Sequence, residues 1–468
     1  MTINQILSTD SYKASHWLQY PPKTERVFSY IEARGGKYPK TVFFGLQMFL
    51  KEYLSKPITR EMIEEADVFF QAHGEPFNRA GWEYILNKHN GFLPLHIKAV
   101  AEGTLVPTSN VLVTVENTDT FNGDWNELAF WVTSYIETSI LRGVWYPTTV
   151  ATNSWSIKQV IREFLELTGD PSGLNFKLHD FGARGVSSFE SAGIGGAAHL
   201  TNFMGTDTIT GALFAMKYYN QTNMVAFSVP ASEHSSITTW GKTNEGEAYK
   251  NMLTQFGGKF PIVAVVSDSY NIYNAVETLW GEELKEDVIR SGSMLVIRPD
   301  SGKPAEVVLK IAMLLDSKFG SVINSKGYKV LNNVRILQGD GINEQSIRDI
   351  LTALRGFQYS ADNVVFGMGG ALLQIVNRDT CEFAMKASAA LINGEWVDVY
   401  KDPVGDSGKR SKKGRLMLYR DRSTGDIFTG KEGQDETNFE PLLETVFENG
   451  VITKEYSFAE VRANTERG

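Results

Sequence analysis

An α/β fold with parallel strands is predicted by three observations on this 468-residue chain. First, short β-branched apolar runs recur through its second half, each ending in a Gly, Asp or Pro cluster. They are FKLHDFG (176–182), MVAFSVP (224–230), PIVAVVSDS (261–269), MLVIRPDSG (294–302), VRILQGDG (334–341) and NVVFGMGG (363–370). Such nearly continuous runs suit strands buried on both faces. Second, helical patterns lie between them. Third, the strand ends are spaced as βα units: 32 residues from Asp268 to Asp300, 40 from Asp300 to Asp340 and 30 from Asp340 to Gly370. A barrel and an open doubly wound sheet both satisfy this rhythm. In both, ligands meet the carboxyl ends of the strands, which is where the polar clusters sit.

Residues 93–118 alternate and turn like antiparallel strands. Residues 271–292 read as a helix interrupted near Gly281. Residues 303–320 place Val307, Val308, Ile311, Leu314 and Leu315 on one helical face. Residues 343–356 do the same with Ile347, Ile350, Leu351 and Leu354, and Asn343 is a suitable N-cap. Residues 387–430 again read as strands and turns. These flanks imply a sheet-rich α+β domain built from both chain ends, 1–150 with 387–468, around an α/β core over 151–386.

Apolar residues make up 42% of the chain and charged residues 22%, as in ordinary globular proteins, and the net charge is −9. An acidic balance argues against a dedicated nucleic-acid binder. The single cysteine, Cys381, allows no intrachain disulfide. The N-terminal MTINQILSTDSYK lacks the basic and apolar regions of a secretory signal, and no apolar run approaches spanning length. A cytoplasmic protein with no membrane segment is the expectation.

Several strand ends carry possible chemistry. IRPDSG sets Arg298 and Asp300 two residues apart, on one side of an extended strand. QGDG (338–341) and GMGG (367–370) are glycine-rich ends whose backbone N–H groups suit a phosphate. Neither is a P-loop, and GIGG (193–196) suits close helix packing better than a dinucleotide. HDFGARGVSS gathers His179, Asp180, Phe181 and Arg184, and an arginine there calls for an anion. Asp207 in GTDT reads first as an Asx turn. GKRSKKGR (408–415) holds five basic residues, suited to a solvated loop or a polyphosphate shield. In SVPASEHSSITTWG, His234 has no second histidine at the zinc-protease spacing. Asp268, at a following strand end, is placed to orient its ring. The pattern alone leaves His234 as a general base, a nucleophile or a structural polar residue.

Taken together, TDSYK (9–13), YPP (20–22), KLHDFGARGVSS (177–188), GTDT, SVPASEHS (228–235), VSDSYNIYN (266–274), IRPDSG, QGDG, GMGG and KDPVGDSGKRSKKGRL (401–416) resemble the nicotinamide phosphoribosyltransferase family. The likeness runs from Asp10 to about Phe458. It implies a type II phosphoribosyltransferase with an irregular βα barrel core and a sheet-rich α+β domain, working as a homodimer with shared active sites. The implied reaction joins nicotinamide to phosphoribosyl pyrophosphate in NAD salvage, with Mg²⁺ required and ATP as co-substrate. It places the phosphorylated histidine at His234, with Glu233, Asp268 and Asp300 beside it. Phe181 and the partner's Tyr12 would sandwich the nicotinamide ring, with Asp207, Ser228 and Arg298 completing the base site. Asp300, Gly339, Asp340, Gly369 and Gly370 would line the ribose phosphate pocket. Arg34, Arg184, Arg378, Lys386 and Lys401 would meet phosphates, and Mg²⁺ would be held mainly by substrate phosphates. A related nicotinate enzyme and a non-catalytic sugar-phosphate-binding barrel are the alternatives. Two departures bear on the site: Ala183 and Met368 stand where the animal enzymes carry tyrosine and serine. With a shorter segment after Arg34, they suggest a bacterial or phage version.

Overall fold

The computed structural model describes residues 4–118, 120–121, 124–125, 129–403 and 410–467. It forms two compact units: Met1–Thr152 with Lys217–Gln221 and Asn377–Gly468, and Asn153–Met216 with Thr222–Val376.

The second unit carries six parallel strands: β1 (Leu178–Asp180), β2 (Gly205–Thr206), β3 (Ile262–Val266), β4 (Met294–Arg298), β5 (Val334–Gln338) and β6 (Val364–Met368). Their order in the sheet is β3-β4-β5-β6-β1-β2. The apolar runs are continuous because both faces are covered. On one face Ala264, Val296 and Leu337 cluster, with Phe181, Val229 and Ile262 packed against them. The alternate residues Val263, Val265, Leu295, Ile297 and Ile336 are also buried.

Two strand expectations are corrected. Residues 224–230 do not form a continuous strand. That run and the following Ala231 contribute single bridges, Gly205 to Phe227 and Ala231 to Ala264, that join β2 to β3 and close the sheet into an irregular barrel. Pro230 has no N–H to give a ladder and pairs only through its carbonyl, which accepts from Ala264 N at 2.9 Å. Conversely, Gly205–Thr206, read as part of a turn, pairs in parallel with His179 and Asp180. Glycine is needed there because a Cβ would lie 2.7 Å from the His179 ring.

The helices follow their patterns. In α1 (Phe189–Leu200) and α2 (Ile209–Tyr218), a Cβ on Gly196 or Gly211 would come within 2.8 or 2.7 Å of the other's main chain. This is the close packing expected of GIGG. The short helix α3 (His234–Thr238) follows the irregular seam. Helix α4 (Pro304–Phe319) starts at a proline whose missing N–H costs nothing at that position, and buries Val307, Val308, Ile311 and Leu315. Leu314 is only half-buried. In α5 (Glu344–Gly356), Asn343 Oδ1 accepts from Gln345 N and Ser346 N at 2.9 and 3.0 Å, and all four expected apolar residues are buried. Over 271–292 the chain makes one short turn, a π-helical stretch Ala275–Glu283 and then Lys285–Ser291.

At the opposite end of the strands, Lys177 is buried. Its ammonium donates to the carbonyls of Ala361, Asp362 and Val364 at 3.1, 3.0 and 3.1 Å. Burial pushes its pKa down from 10.5 to about 8. The folded chain therefore gives up this proton before the unfolded chain does. The group's contribution to stability rises with pH between those two values and is lost as pH falls through 8. Lys177→Met would strand three carbonyls in the interior. A loss of about 2–4 kcal/mol is expected, read as a lowered Tm with the circular dichroism spectrum unchanged at 20 °C or about that temperature.

The first unit is built on a seven-stranded antiparallel sheet. Its order is Glu395–Asp398, Phe383–Ile392, Thr24–Ala33, Asn110–Asn117, Leu95–Val100, Leu443–Glu448 and Val451–Ile452. The three N-terminal strands lie together in its middle with two C-terminal strands on either side, and Val27, Ile31, Ile97, Val113, Phe383 and Phe447 lie in its core. No helix among the described residues is long and apolar enough to cross a membrane.

Candidate active site

The carboxyl ends of β1 to β6 bring most of the candidate residues of the second unit together. The seam ends in Glu233, whose main chain and carboxylate form a capping box with Ser236; Ser235 Oγ also donates to the carboxylate. Glu233 therefore starts α3, and His234 is the first residue of that helix.

The His234 ring lies between two carboxylates. Its Nε2 is 2.9 Å from Asp268 Oδ1, and its Nδ1 is 4.0 Å from Asp300 Oδ2. The histidine side chain is 46% exposed while that of Asp268 is 5% exposed, so a buried carboxylate holds an accessible ring. The other oxygen of Asp268 accepts from Asp300 N at 3.0 Å and from Ser301 Oγ at 2.7 Å. With both oxygens engaged, Asp268 is fixed, and it selects the Nε2–H tautomer of His234.

Asp300 continues the chain of contacts. Both of its oxygens accept from Arg298 Nη2, at 3.1 and 3.2 Å. The Arg298 guanidinium lies over the Phe181 ring, 5.7 Å from its centroid. Gly339 meets all three: a Cβ there would be 3.6 Å from Phe181, 3.7 Å from Arg298 Nε and 3.7 Å from Asp300 Oδ1. Phe181 is anchored by its own N–H to Met368 O at 2.9 Å. The Met368 side chain is buried, 2% exposed. Gly369 and Gly370 follow, with Gly369 beside Phe181 O. Asp340 and Arg184 are exposed and their side chains have no partner among the described residues.

Around Asp207 the geometry is that of a receptor for a hydrogen-bond donor. Ser228 Oγ donates to Asp207 Oδ1 at 2.6 Å, which leaves Oδ2 open. Asp207 N donates to Asp180 O at 2.9 Å. His179, on β1, is held below its ordinary pKa chiefly by burial, with Asp207 pulling it the other way.

Among the described residues, the buried polar atoms at these strand ends without a hydrogen-bond partner include Arg298 Nε, Gln338 Oε1, Ser269 Oγ, Asp180 Oδ2 and Thr208 Oγ1. Buried orphans are rare in folded proteins, and a cluster of them marks a ligand or water site. An accessible imidazole, an aromatic platform, an arginine and glycine-rich loops suit a flat base joined to a phosphorylated sugar.

The remaining candidates lie in the first unit and are described there alone. Tyr12 is 53% exposed, its ring edge-on to His16 at 5.0 Å. Arg34 Nε donates to Glu382 O at 3.3 Å, and Arg378 Nη2 is 3.4 Å from Asp379 Oδ1. Lys386 and Lys401 are exposed. Of the basic segment 401–416, residues 404–409 lie outside the described residues. Among the described residues no three His, Cys, Asp or Glu side chains group as a metal cage.

Asp180 and Ser301 carry no role that their sequence patterns show. Gly367 was legible as the first glycine of GMGG. Its necessity comes from the fold, because a Cβ would lie 2.0 Å from Phe181 Cε2.

Comparisons with known proteins agree with one another. The profile of the nicotinate phosphoribosyltransferase (NAPRTase) family matches residues 176–451, and that of the nicotinamide phosphoribosyltransferase N-terminal domain matches residues 4–97. A nicotinamide phosphoribosyltransferase of Xanthomonas campestris is 55% identical over 99% of this chain and 98% of its own. One from Acinetobacter baylyi is 32% identical over 98% of this chain and 96% of its own. Among solved structures, the nicotinate-nucleotide pyrophosphorylase of Pyrococcus furiosus superposes with a TM-score of 0.64 at 16% identity, covering 99% of this chain and 95% of its own. Human nicotinic acid phosphoribosyltransferase gives 0.54 at 16% identity, over 98% and 93%. At that identity these structures speak to the fold.

Proposed function

Because the chain belongs to the nicotinamide phosphoribosyltransferase family, we propose that it transfers phosphoribosyl from phosphoribosyl pyrophosphate to nicotinamide, with ATP hydrolysis coupled through a phosphate carried on His234. The products are nicotinamide mononucleotide and pyrophosphate. The observation that carries this reading is His234 suspended between Asp268 and Asp300, one contact from the Arg298–Phe181 platform.

The chemistry needs no general base, because the pyridine nitrogen has a free lone pair. The barrier lies in the cationic ribose and the departing pyrophosphate. Positioning and fixed charge therefore supply catalysis. Phe181 presents its ring as the stacking platform for the base, with the partner's Tyr12 on the other side in a homodimer. Asp207 Oδ2 accepts from the amide N–H, and Arg298, over the Phe181 ring, carries an unpartnered Nε–H. Asp300, Gly339, Asp340, Gly369 and Gly370 receive the ribose and its 5-phosphate. Arg34, Arg184, Arg378, Lys386 and Lys401 supply positive charge. Mg²⁺ bound to the pyrophosphate would neutralise the leaving group, and the exposed Asp340 carboxylate is a donor suited to it.

For the ATP step, Asp268 occupies Nε2, so Nδ1 carries the free lone pair. Nδ1 attacks the γ-phosphorus, the bond to ADP breaks, and the phosphoramidate is later hydrolysed. The direct test is product detection with nicotinamide, phosphoribosyl pyrophosphate and Mg²⁺, with and without ATP. Mononucleotide is expected in both, and more with ATP. None in either would sink the reading.

Gly367→Ala tests the platform. The new methyl overlaps the Phe181 ring, so the ring must turn away. Overpacking of this kind costs about 1–3 kcal/mol, and the KM for nicotinamide is expected to rise about tenfold by steady-state assay, with a smaller change for phosphoribosyl pyrophosphate.

A further inference from the structure

We infer that Asp180 is a positioning residue that sets the base site from behind, holding the aromatic platform with its side chain and the amide acceptor with its main chain. Its carboxylate Oδ1 accepts from Gly182 N at 2.7 Å, which pins the turn that carries Phe181 and Arg184. Its carbonyl accepts from Asp207 N at 2.9 Å. The two groups that would face nicotinamide are thus tied to one residue, which is fully buried. A side chain of this kind acts on a ligand only through its neighbours. The inference rests on the assignment of Phe181 and Asp207 to the base site.

A purely structural aspartate would have both oxygens satisfied. Here Oδ2 lies buried without a hydrogen-bond partner, and so does the neighbouring Thr208 Oγ1. That leaves room for a proton on Oδ2. Burial first, and then the negative charge of Asp207, push the Asp180 pKa up from 3.8 to about 6, against the N–H of Gly182, which favours the charged form. Beside it on β1 is His179, whose pKa burial lowers while the charge of Asp207 pulls it up. Above pH 6 or about that value the carboxylate grips Gly182 N–H as an anion, a stronger acceptor than the neutral acid. Below it the grip loosens and the platform is less well held.

The test compares Asp180→Asn and Asp180→Ala with the parent and with Phe181→Ala, measuring KM for both substrates from pH 5 to 8 or about that range. The parent should show a nicotinamide KM that rises as pH falls through the titration of Asp180. Asp180→Asn keeps an acceptor oxygen but cannot titrate. Its nicotinamide KM should stay within about fivefold of the parent's neutral value, and the rise should be absent. Asp180→Ala should raise nicotinamide KM about tenfold or more, with the KM for phosphoribosyl pyrophosphate little changed. Should the alanine variant not fold, the asparagine profile decides alone. An acid-side rise retained in Asp180→Asn overturns the inference. So does an Asp180→Ala enzyme whose nicotinamide KM is unchanged. Phe181→Ala separates the two readings: an unchanged KM there would count against the base-site assignment itself, not against Asp180 alone.

Discussion

His234→Ala is expected to abolish the stimulation of phosphoribosyl transfer by ATP, with the ratio of rates with and without ATP falling to one. The ATP-independent reaction should persist, because the pyridine nitrogen needs no proton removed and the stacking, arginine and phosphate contacts involve other residues. The expectation follows from the ring's two neighbours. Asp268 holds Nε2 at 2.9 Å and is itself locked by Asp300 N and Ser301 Oγ, so Nδ1 is presented in one orientation. Alanine removes the Nδ1 atom that the proposed phosphorylation requires. Asp268→Asn tests the geometry separately. It leaves the ring but loses the anion that selects the tautomer and stabilises the charged imidazole. Phosphorylation should slow by roughly 100-fold or more. Incubation with γ-labelled ATP reads the step directly: acid-labile label in the parent, none in His234→Ala. A variant that keeps full ATP stimulation would rule out the phosphohistidine.

Asp207→Ala is expected to collapse the preference for nicotinamide over nicotinate. Ser228 occupies Oδ1, so Oδ2 is free to accept one amide N–H, while a substrate carboxylate in the same place would meet like charge. A hydrogen bond to a charged acceptor contributes about 1.5–3 kcal/mol, or roughly 10–150-fold in the ratio of kcat/KM values, before the repulsion of the acid is counted. Competition between the two substrates measures that ratio directly. Comparable nicotinamide and nicotinate kinetics in the unmutated protein would refute the assignment of Asp207. Ser228→Ala should produce a smaller change in the same direction, because Asp207 keeps its charge but loses its orientation.

The rhythm of the barrel was legible because its signals are local. An apolar run buried on both faces, a helix stripe over Ile347 to Leu354 and an Asn343 cap each lie within a few residues of sequence. The end of the barrel at which the candidate residues gather was legible for the same reason, since the polar clusters sit at strand ends whatever the sheet's curvature. Two elements escaped. The run at 224–230 has the composition of a strand, but Pro230 can only accept, and the chain there became a seam of single bridges. Gly205–Thr206 has the composition of a turn and became a strand, because a glycine beside His179 lets the two backbones pair. Glu233, read as a partner of His234, spends its hydrogen bonds on starting α3.

By itself, then, the sequence determined the class of fold, the faces of its helices and the family resemblance. All three rest on residue spacing, which a chain carries whether folded or not. Only the tertiary structure decided that the His234 ring lies between Asp268 and Asp300, that Phe181 fills the space a Gly367 side chain would need, and that Asp180 accepts from both Gly182 N and Asp207 N. Those contacts join residues as far as 186 positions apart, or depend on which of two oxygens is left unpaired. They are set by the register of parallel strands and by burial, which no local pattern records.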